Sequence, residues 1–390
     1  MKKRILLSVL AGLLLTGCVK EEKTFTVTAG WQQPQIRTAT MAVVGDIMVH
    51  DYQYNEAYNG DTYDFMHNFQ DMKPFFAGKD LVIGNLELTF GGSDRPYSSY
   101  PCFNTPDSFL DAVKDAGFNL LTTANNHSMD TGKAGVIRTL DRLDAYGIDH
   151  VGTYRSAEER DTILYKDVNG MRFAFLSYTY GTNGIPVPDD YLVNVLDEER
   201  MVQDIQRARA EADVVVVLPH MGNEYESEPR EIFVQWADRM FEAGADIVLA
   251  SHPHVLQRME YRRVDHGSGE HDGFIIYSLG NFISSQTTPP RNASIVLNLT
   301  VEQVGEEPPN VTDVSFVPIW TQFRNAQNRN DFVVRSVYER LTLPEAERNA
   351  NIRPKDYTRL KEIHEETACF LLGEEIPLSE IQEEYTFPKP

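Results

Sequence analysis

DVVVVLPH (residues 213–220) and GADIVLASHPH (residues 244–254) decide how this chain folds, because each is a short β-branched run that stops on histidine. Apolar runs of roughly four to eight residues bounded by turn signals read as buried strands. Between the two, residues 229–243 are amphipathic and end at Gly244, as a helix with a C-terminal stop does. Strand, helix, strand is the unit of an α/β fold with much parallel sheet.

The same pattern repeats outward. Met41–Gly45, Leu81–Gly84, Asn119–Thr123, Met171–Tyr178 and Phe274–Leu279 read as further strands, and residues 131–146 and 197–211 as helices. In 131–146 the spacing puts Ala134, Ile137, Leu140 and Leu143 on one buried face, with Asp130 or Thr131 as N-cap. After residue 290 the alternation stops. Ser294–Val301 and Val311–Val317 read as strands joined by a Gly/Glu/Pro turn. A last helix over 355–372 carries Tyr357, Leu360, His364, Ala368 and Leu371 before Gly373.

The chain's 390 residues allow one large domain or two ordinary ones. Lys and Arg number 36 against 58 Asp and Glu, a net charge of −22. That excess argues against nucleic acid as a partner, since phosphate contacts need basic side chains. At the N-terminus, Lys2, Lys3 and Arg4 precede an apolar stretch from Ile5 to Leu15, too short for the roughly 20 residues that span a bilayer. Leu15-Thr16-Gly17-Cys18 looks like a bacterial lipobox, with Cys18 as the lipidated mature N-terminus; a plain secretory signal or an apolar helix is the alternative. The expected organisation is a signal peptide over 1–17, a polar tether over 18–40, a domain over 41–320 and an extension packed on it over 321–390. Cys102 and Cys369 lie far apart in sequence, and such pairs are more often unpaired than bridged.

The chemistry-bearing residues sit where the apolar runs end. Asp46 follows AVVG, Glu87 follows IGNL, Asn126 and His127 follow TTAN, His220 follows VVLP, and His252 and His254 follow VLAS. Taken singly, each has a bland reading: a turn, a helix entry, a satisfied histidine. Together, five strand ends deliver two carboxylates, an amide and four imidazoles to the rim where open α/β sheets bind ligands. Oxygen donors with imidazole suit Zn²⁺, Mn²⁺ or Fe, and a pair of such ions activates water and stabilises in-line displacement.

The motifs VVGDIMVHD (43–51), VIGNLELTF (82–90), TTANNHSMDTG (122–132), LSYTYGTNG (176–184), LPHMGNEYE (218–226), IVLASHPHVLQ (247–257) and IYSLGNFI (276–283) resemble the CapA capsule-synthesis proteins, linked to bacterial poly-γ-glutamate. That family is in turn similar to the calcineurin-like metallophosphatases. The resemblance implies a four-layer α/β sandwich with mixed sheets around a site for one or two divalent ions. It implies Asp46 and His254 on one metal, Glu87 bridging, and Asn126, His220 and His252 on the second. His127 becomes the general acid and Asp130 the residue that orients it, unless Asp130 is instead the helix N-cap. Asn223, Glu224, Tyr225 and Asn281 fall in family motifs without a defined role.

Two departures stand out. The superfamily's Asp-x-His reads Asp46-Ile47-Met48 here, and a thioether is a poor ligand for hard divalent ions; His50 lies two residues further on. The bridging carboxylate is Glu rather than Asp. The lipobox implies an extracytoplasmic protein held to the cell membrane by its lipid, and the resemblance implies a role in capsule biosynthesis, export or anchoring, with a capsule polymer or synthase complex as partner. Three readings follow: a metal-dependent hydrolase, a non-enzymatic polymer-binding or assembly partner, and a secreted phosphoesterase unrelated to capsule.

Overall fold

The computed structural model describes residues 34–390; the lipobox, Cys18 and most of the expected tether lie outside the described residues. In it, alternation within single strands builds the layers. In β1 (Ile36–Ile47) the side chains of Met41 and Val43 face one apolar cluster and those of Ala42 and Val44 another. In β7 (Val214–His220), Val214, Val216 and Leu218 join the cluster that holds Met41 and Val43, while Val215 and Val217 turn away. Successive strand residues point to opposite faces, so both strands are sandwiched and share one core between them.

The first sheet has the order β14-β13-β12-β1-β2-β3-β4, with β11 paired to β1 and β15 to β13. These strands are β2 (Leu81–Leu86), β3 (Leu120–Thr122), β4 (Asp149–Val151), β11 (Asn281–Ile283), β12 (Ala293–Val304), β13 (Asn310–Arg324), β14 (Asn330–Ser336) and β15 (Tyr385–Thr386). β1 to β4 run parallel, and β12, β13 and β14 are antiparallel additions on the other side of β1. The second sheet has the order β5-β6-β7-β8-β10-β9. It comprises β5 (Leu164–Val168), β6 (Met171–Thr179), β7, β8 (Ile247–Leu249), β9 (Met259–Asp265) and β10 (Glu270–Ile276), parallel from β6 through β7 and β8 to β10.

Helices cover the outer faces. α1 (Phe109–Ala116) buries Phe109, Leu110 and Val113 with Phe65, Phe69 and Phe76 against the first sheet. α2 (Gly132–Ala145) closes the turn after β3. α3 (Glu198–Arg209) and α4 (Glu231–Ala243) bury Met201, Ile205, Ala237 and Met240 against the second sheet. The result is the expected α/β/β/α sandwich with two mixed sheets, its largest core between the sheets.

Several expectations are corrected. β1 begins at Ile36, not Met41, because Ile36 to Thr40 continue the antiparallel ladder with Val304 to Thr300; these residues are sheet rather than tether. The buried face of α2 is Gly135, Val136, Thr139, Leu140 and Leu143, while Ala134 is exposed and Ile137 half-buried. The Thr139 hydroxyl, accepting from the Phe90 amide, draws that side of the helix inward. The last helix is α5 (Pro354–His364), followed by a π-helical turn over Glu365–Cys369 and a short α-turn to Leu372. β13 runs across residue 320, and residues 35–390 form one compact unit. Ala368, Leu371 and Tyr385 lie in the inter-sheet core. The two cysteines are free, Cys102 exposed and Cys369 half-buried.

One contact seats β11 on β1 at the site. The Asp46 amide donates to the Gly280 carbonyl at 2.9 Å, and a Cβ on Gly45 would lie 1.9 Å from that same oxygen. Only glycine lets β1 pass so close.

Candidate metal centre

Parallel strands deliver their carboxyl ends to one edge, and the edges of the two sheets face each other. β1 places Asp46, and the residue after β2 is Glu87. The loop after β3 carries Asn126 and His127, β7 ends on His220, and the loop after β8 carries His252 and His254. Each of these seven residues is buried.

The polar atoms converge. Asp46 Oδ2 accepts from His254 Nδ1 at 3.1 Å. Glu87 Oε1 lies 3.8 Å from His220 Nε2 and 3.9 Å from His254 Nε2. Asn126 Oδ1 lies 2.8 Å from His220 Nε2. The His252 ring centroid is 4.8 Å from that of His220 and 5.9 Å from that of His254. Two sets, Asp46/Glu87/His220 and Glu87/His252/His254, each bring one ligand atom per residue within 4.8 Å of one another. Glu87 belongs to both.

Orienting groups stand behind these side chains. Asn281 Oδ1 lies 3.0 Å from His254 Nδ1, which also meets Asp46, so Nδ1 carries the proton and Nε2 presents a lone pair toward Glu87. Asn85, which sequence reasoning gave no role, is the hub. Its amide nitrogen donates to Asp46 Oδ1 at 2.8 Å and lies 3.2 Å from His220 Nδ1. Its Oδ1 accepts from the Thr122 hydroxyl at 2.9 Å. The only signal in the sequence was its place at a strand end, two residues before Glu87. Asn125 holds the next loop, donating to the Leu86 carbonyl and accepting from the His127 amide.

Burial dominates the electrostatics of the cluster. Burial, then the Asp46 charge, pushes the Glu87 carboxyl well above the usual range. Burial, then the other imidazoles, pushes His220 well below the ordinary histidine value, and burial with His254 takes His252 to about 3. Glu87, His220 and His252 each resist charge chiefly because burial penalises the ionised form. Glu87 Oε1 and His252 Nδ1 are buried without any hydrogen-bond partner. An orphaned carboxylate oxygen and an orphaned imidazole nitrogen in one cluster carry a desolvation cost that a divalent cation at their common centre would remove. The donor set of two carboxylates, one amide and three imidazoles without sulfur fits manganese, iron or zinc.

His127 stands beside the cluster. Its Nδ1 lies 2.8 Å from Asp130 Oδ2, which also accepts from the Phe103 amide at 2.6 Å. Asp130 therefore does not cap α2. The N-cap of that helix is Thr131, whose own hydroxyl donates to Thr89 rather than capping the helix. Phe103 meets the His127 ring edge-on at 4.7 Å. Met48 is not at the centre: it is buried in the apolar cluster outside the first sheet. The His50 Nδ1 accepts from the Ser285 amide at 3.3 Å, and its ring packs on Phe103, so it does not replace the missing ligand.

Backbone strain gathers here. His252, His254 and Tyr225 adopt φ of 111°, 60° and 68°, a region that disfavours side chains and that proteins hold mainly at functional sites. Tyr180 and Tyr225, each 43% exposed, form part of the rim, 4.5 Å from His252 and 6.0 Å from His254 between ring centroids.

Comparison with known proteins gives the family. Residues 40–286 match the model of the bacterial capsule synthesis protein PGA_cap. The PGA biosynthesis protein CapA of Bacillus subtilis (strain 168) is 32% identical over 278 residues, 68% of this chain and 70% of the relative. The capsule biosynthesis protein CapA of Bacillus anthracis is 32% identical over 257 residues, 63% of this chain and 60% of that one, so this chain spans less than two thirds of that relative. Among solved structures, a 5'-nucleotidase from Candida albicans aligns with a TM-score of 0.43 and 13% identity, covering 84% of this chain and 58% of that one. A purple acid phosphatase from yellow lupin aligns with a TM-score of 0.30 and 7% identity, covering 77% and 54%. The stretch matched by the family model contains every residue of the cluster from Asp46 to Asn281, and the chain belongs to the PGA_cap family of bacterial capsule synthesis proteins.

Proposed function

We propose that this protein acts outside the cytoplasm in poly-γ-glutamate capsule biosynthesis, export or anchoring, and that its buried cluster is a divalent-metal centre for hydrolysis of a phosphoester or polymer bond. The observation that carries the reading is the shared position of Glu87, whose orphaned oxygen faces both His220 and His254. Asp46 and His254 would hold one ion, Glu87 would bridge, and Asn126, His220 and His252 would hold a second. The bound metal would supply a Lewis acid and a water of lowered pKa. The names of the two Bacillus relatives support the process.

The chain's own residues then divide the work. Asp130 accepts from Nδ1 of His127, which fixes the ring and leaves Nε2 to carry a proton to the leaving group. Phe103 and the buried strand ends keep bulk water from the cluster. In this reading the lipid on Cys18 holds the domain at the cell membrane. A Cys18→Ser variant should leave the membrane fraction, and unchanged fractionation and mature mass would refute the anchor.

A second reading is favoured by one observation. Met48 is buried among apolar side chains at the place where the metallophosphatase resemblance implies a metal-binding histidine, so a first ion would be held by fewer side chains. A weakly loaded site suits a polymer-binding or assembly role without turnover. The His127→Asn variant, with fold and metal content confirmed, separates the two. Hydrolysis, or polymer production in cells, should fall about 10²–10⁴-fold. Full activity in that variant would leave the binding role standing.

A further inference from the structure

A second functional feature sits on the rim, just beyond the stretch matched by the family model. Arg291 lies in the loop between β11 and β12, and its guanidinium stacks over the Tyr225 ring, 3.5 Å from the centroid. Among the described residues its side chain makes no hydrogen bond and no ion pair, although the protein carries many carboxylates. Stacking on an aromatic face uses the plane of the guanidinium and leaves its edge, a fork of N–H donors, free. An arginine held by its face with its edge unpartnered is built to take a planar anion in two parallel hydrogen bonds.

Both members of the stack are bolted to the cluster. The Tyr225 amide donates to the Pro253 carbonyl at 2.8 Å, between His252 and His254. Asn281 accepts from His254 Nδ1 through its Oδ1 and donates through its Nδ2 to the Arg291 carbonyl at 2.9 Å. The Tyr225 φ of 68° costs free energy that a surface turn has no reason to hold. The ring lies against both His254, 6.0 Å between centroids, and Arg291. One carboxylate, Glu224, shares this rim beside the Tyr225 hydroxyl, yet it forms no ion pair with Arg291.

We infer that Arg291, stacked on Tyr225, is an anion subsite that grips a carboxylate or phosphate of the substrate next to the group held at the cluster. The inference rests on the proposed reading of the cleft as the place where an anionic polymer binds. It gives a chain of net charge −22 a local way to hold a polyanion that its overall field repels. Glu224 opposes the bound anion and sets how tightly it is held.

Calorimetric titration of the full-length protein tests this with three probes: a γ-linked glutamate decamer, its amide-capped neutral counterpart, and inorganic phosphate. The acidic decamer should bind the wild type, weaken with salt, and bind Arg291→Gln about tenfold to a hundredfold more weakly at unchanged melting temperature. Arg291→Lys, which keeps the charge and loses the fork, should fall between. Glu224→Gln should bind more tightly than wild type. The neutral decamer should not distinguish wild type from Arg291→Gln. Sensitivity of the decamer to Arg291 assigns a carboxylate to the subsite, and sensitivity of phosphate alone assigns a phosphate. Equal affinity of Arg291→Gln and wild type for both anions, or no binding of either by the wild type, overturns the subsite. Arg291-dependent binding by a protein that hydrolyses nothing would keep the subsite and remove the hydrolytic reading.

Discussion

Asp246 shows how single residues carry stability away from the centre. It precedes β8, and its Oδ2 accepts from Arg209 at 2.7 Å and from the Val215 amide at 2.6 Å. Its Oδ1 accepts from His271 Nε2 at 2.8 Å and lies 3.4 Å from His266 Nε2. His271 Nδ1 also faces the Gly269 carbonyl at 3.2 Å, so both ring nitrogens are placed to donate. Burial pushes the Asp246 carboxyl up, but hydrogen bonds from His266 and His271 and the Arg209 charge outweigh it and hold it well below the carboxylate range. Burial pulls His271 down, and Asp246 outweighs that and raises it. A depressed carboxyl stabilises above its unfolded value and loses that as pH falls; a raised histidine stabilises below its unfolded value and loses that as pH climbs through the folded one. Both contributions are complete between about pH 4 and 6.5. His271→Asn should therefore cost about 2 kcal/mol in that window. In thermal melts its deficit against wild type should shrink as pH rises above neutrality. A deficit constant from pH 5 to 9 would show that the ring acts by packing alone. Histidines of this kind were not legible in the sequence, because a half-polar hairpin offers no pattern that separates them from surface residues. Asn85 escaped for a related reason: after a glycine at a strand end, asparagine reads as a turn residue. The carboxylates and imidazoles of the centre were legible because their residue types are costly to bury and recur at successive strand ends.

Elements were legible where burial is two-sided. Val214–His220 and Met171–Thr179 are buried along nearly their whole length, and such runs announce themselves. Leu164–Val168 and Asp149–Val151 do not, since they are short and half-buried and owe their conformation to the neighbouring strand. Periodicity also cannot tell which sheet a run joins. The apolar run from Phe274 ends its ladder at Ile276 in the second sheet, and the chain then crosses to pair Asn281 with Asp46 in the first. That crossing, through Gly280 at φ 68°, is what brings Asn281 to His254. The face of α2 was misread because a helical wheel scores glycine and threonine as surface residues. Here Gly135 and Thr139 make the close approach and the hydrogen bond that fix the helix.

At the scale of the molecule, two parallel sheet edges meet, and the meeting point is buried, strained and rich in carboxylate and imidazole donors. The inner and outer apolar clusters follow from period-two alternation, but the strand–helix pattern alone implied only an α/β fold, and the four layers were expected from the resemblance to the CapA proteins. The part played by the C-terminal residues was not: Ala368, Leu371 and Tyr385 complete the core between the sheets although they lie far along the chain from the motifs. A net charge of −22 favours cations throughout, and the cluster concentrates that preference on Asp46 and on Glu87, whose carboxyl burial and the Asp46 charge push well above the usual range. The central claim is that this cluster is a divalent-metal centre. Its most direct test is the metal content of the purified protein after incubation with manganese, iron or zinc and removal of free ion, compared with the His220→Ala/His252→Ala double variant. The account predicts at least one ion per wild-type chain and a loss of melting temperature on chelation, about 2.7 kcal/mol of stabilisation at a hundredfold excess of metal over Kd. It predicts neither in a folded double variant. A wild type that retains no metal, or a double variant that retains as much, would contradict it.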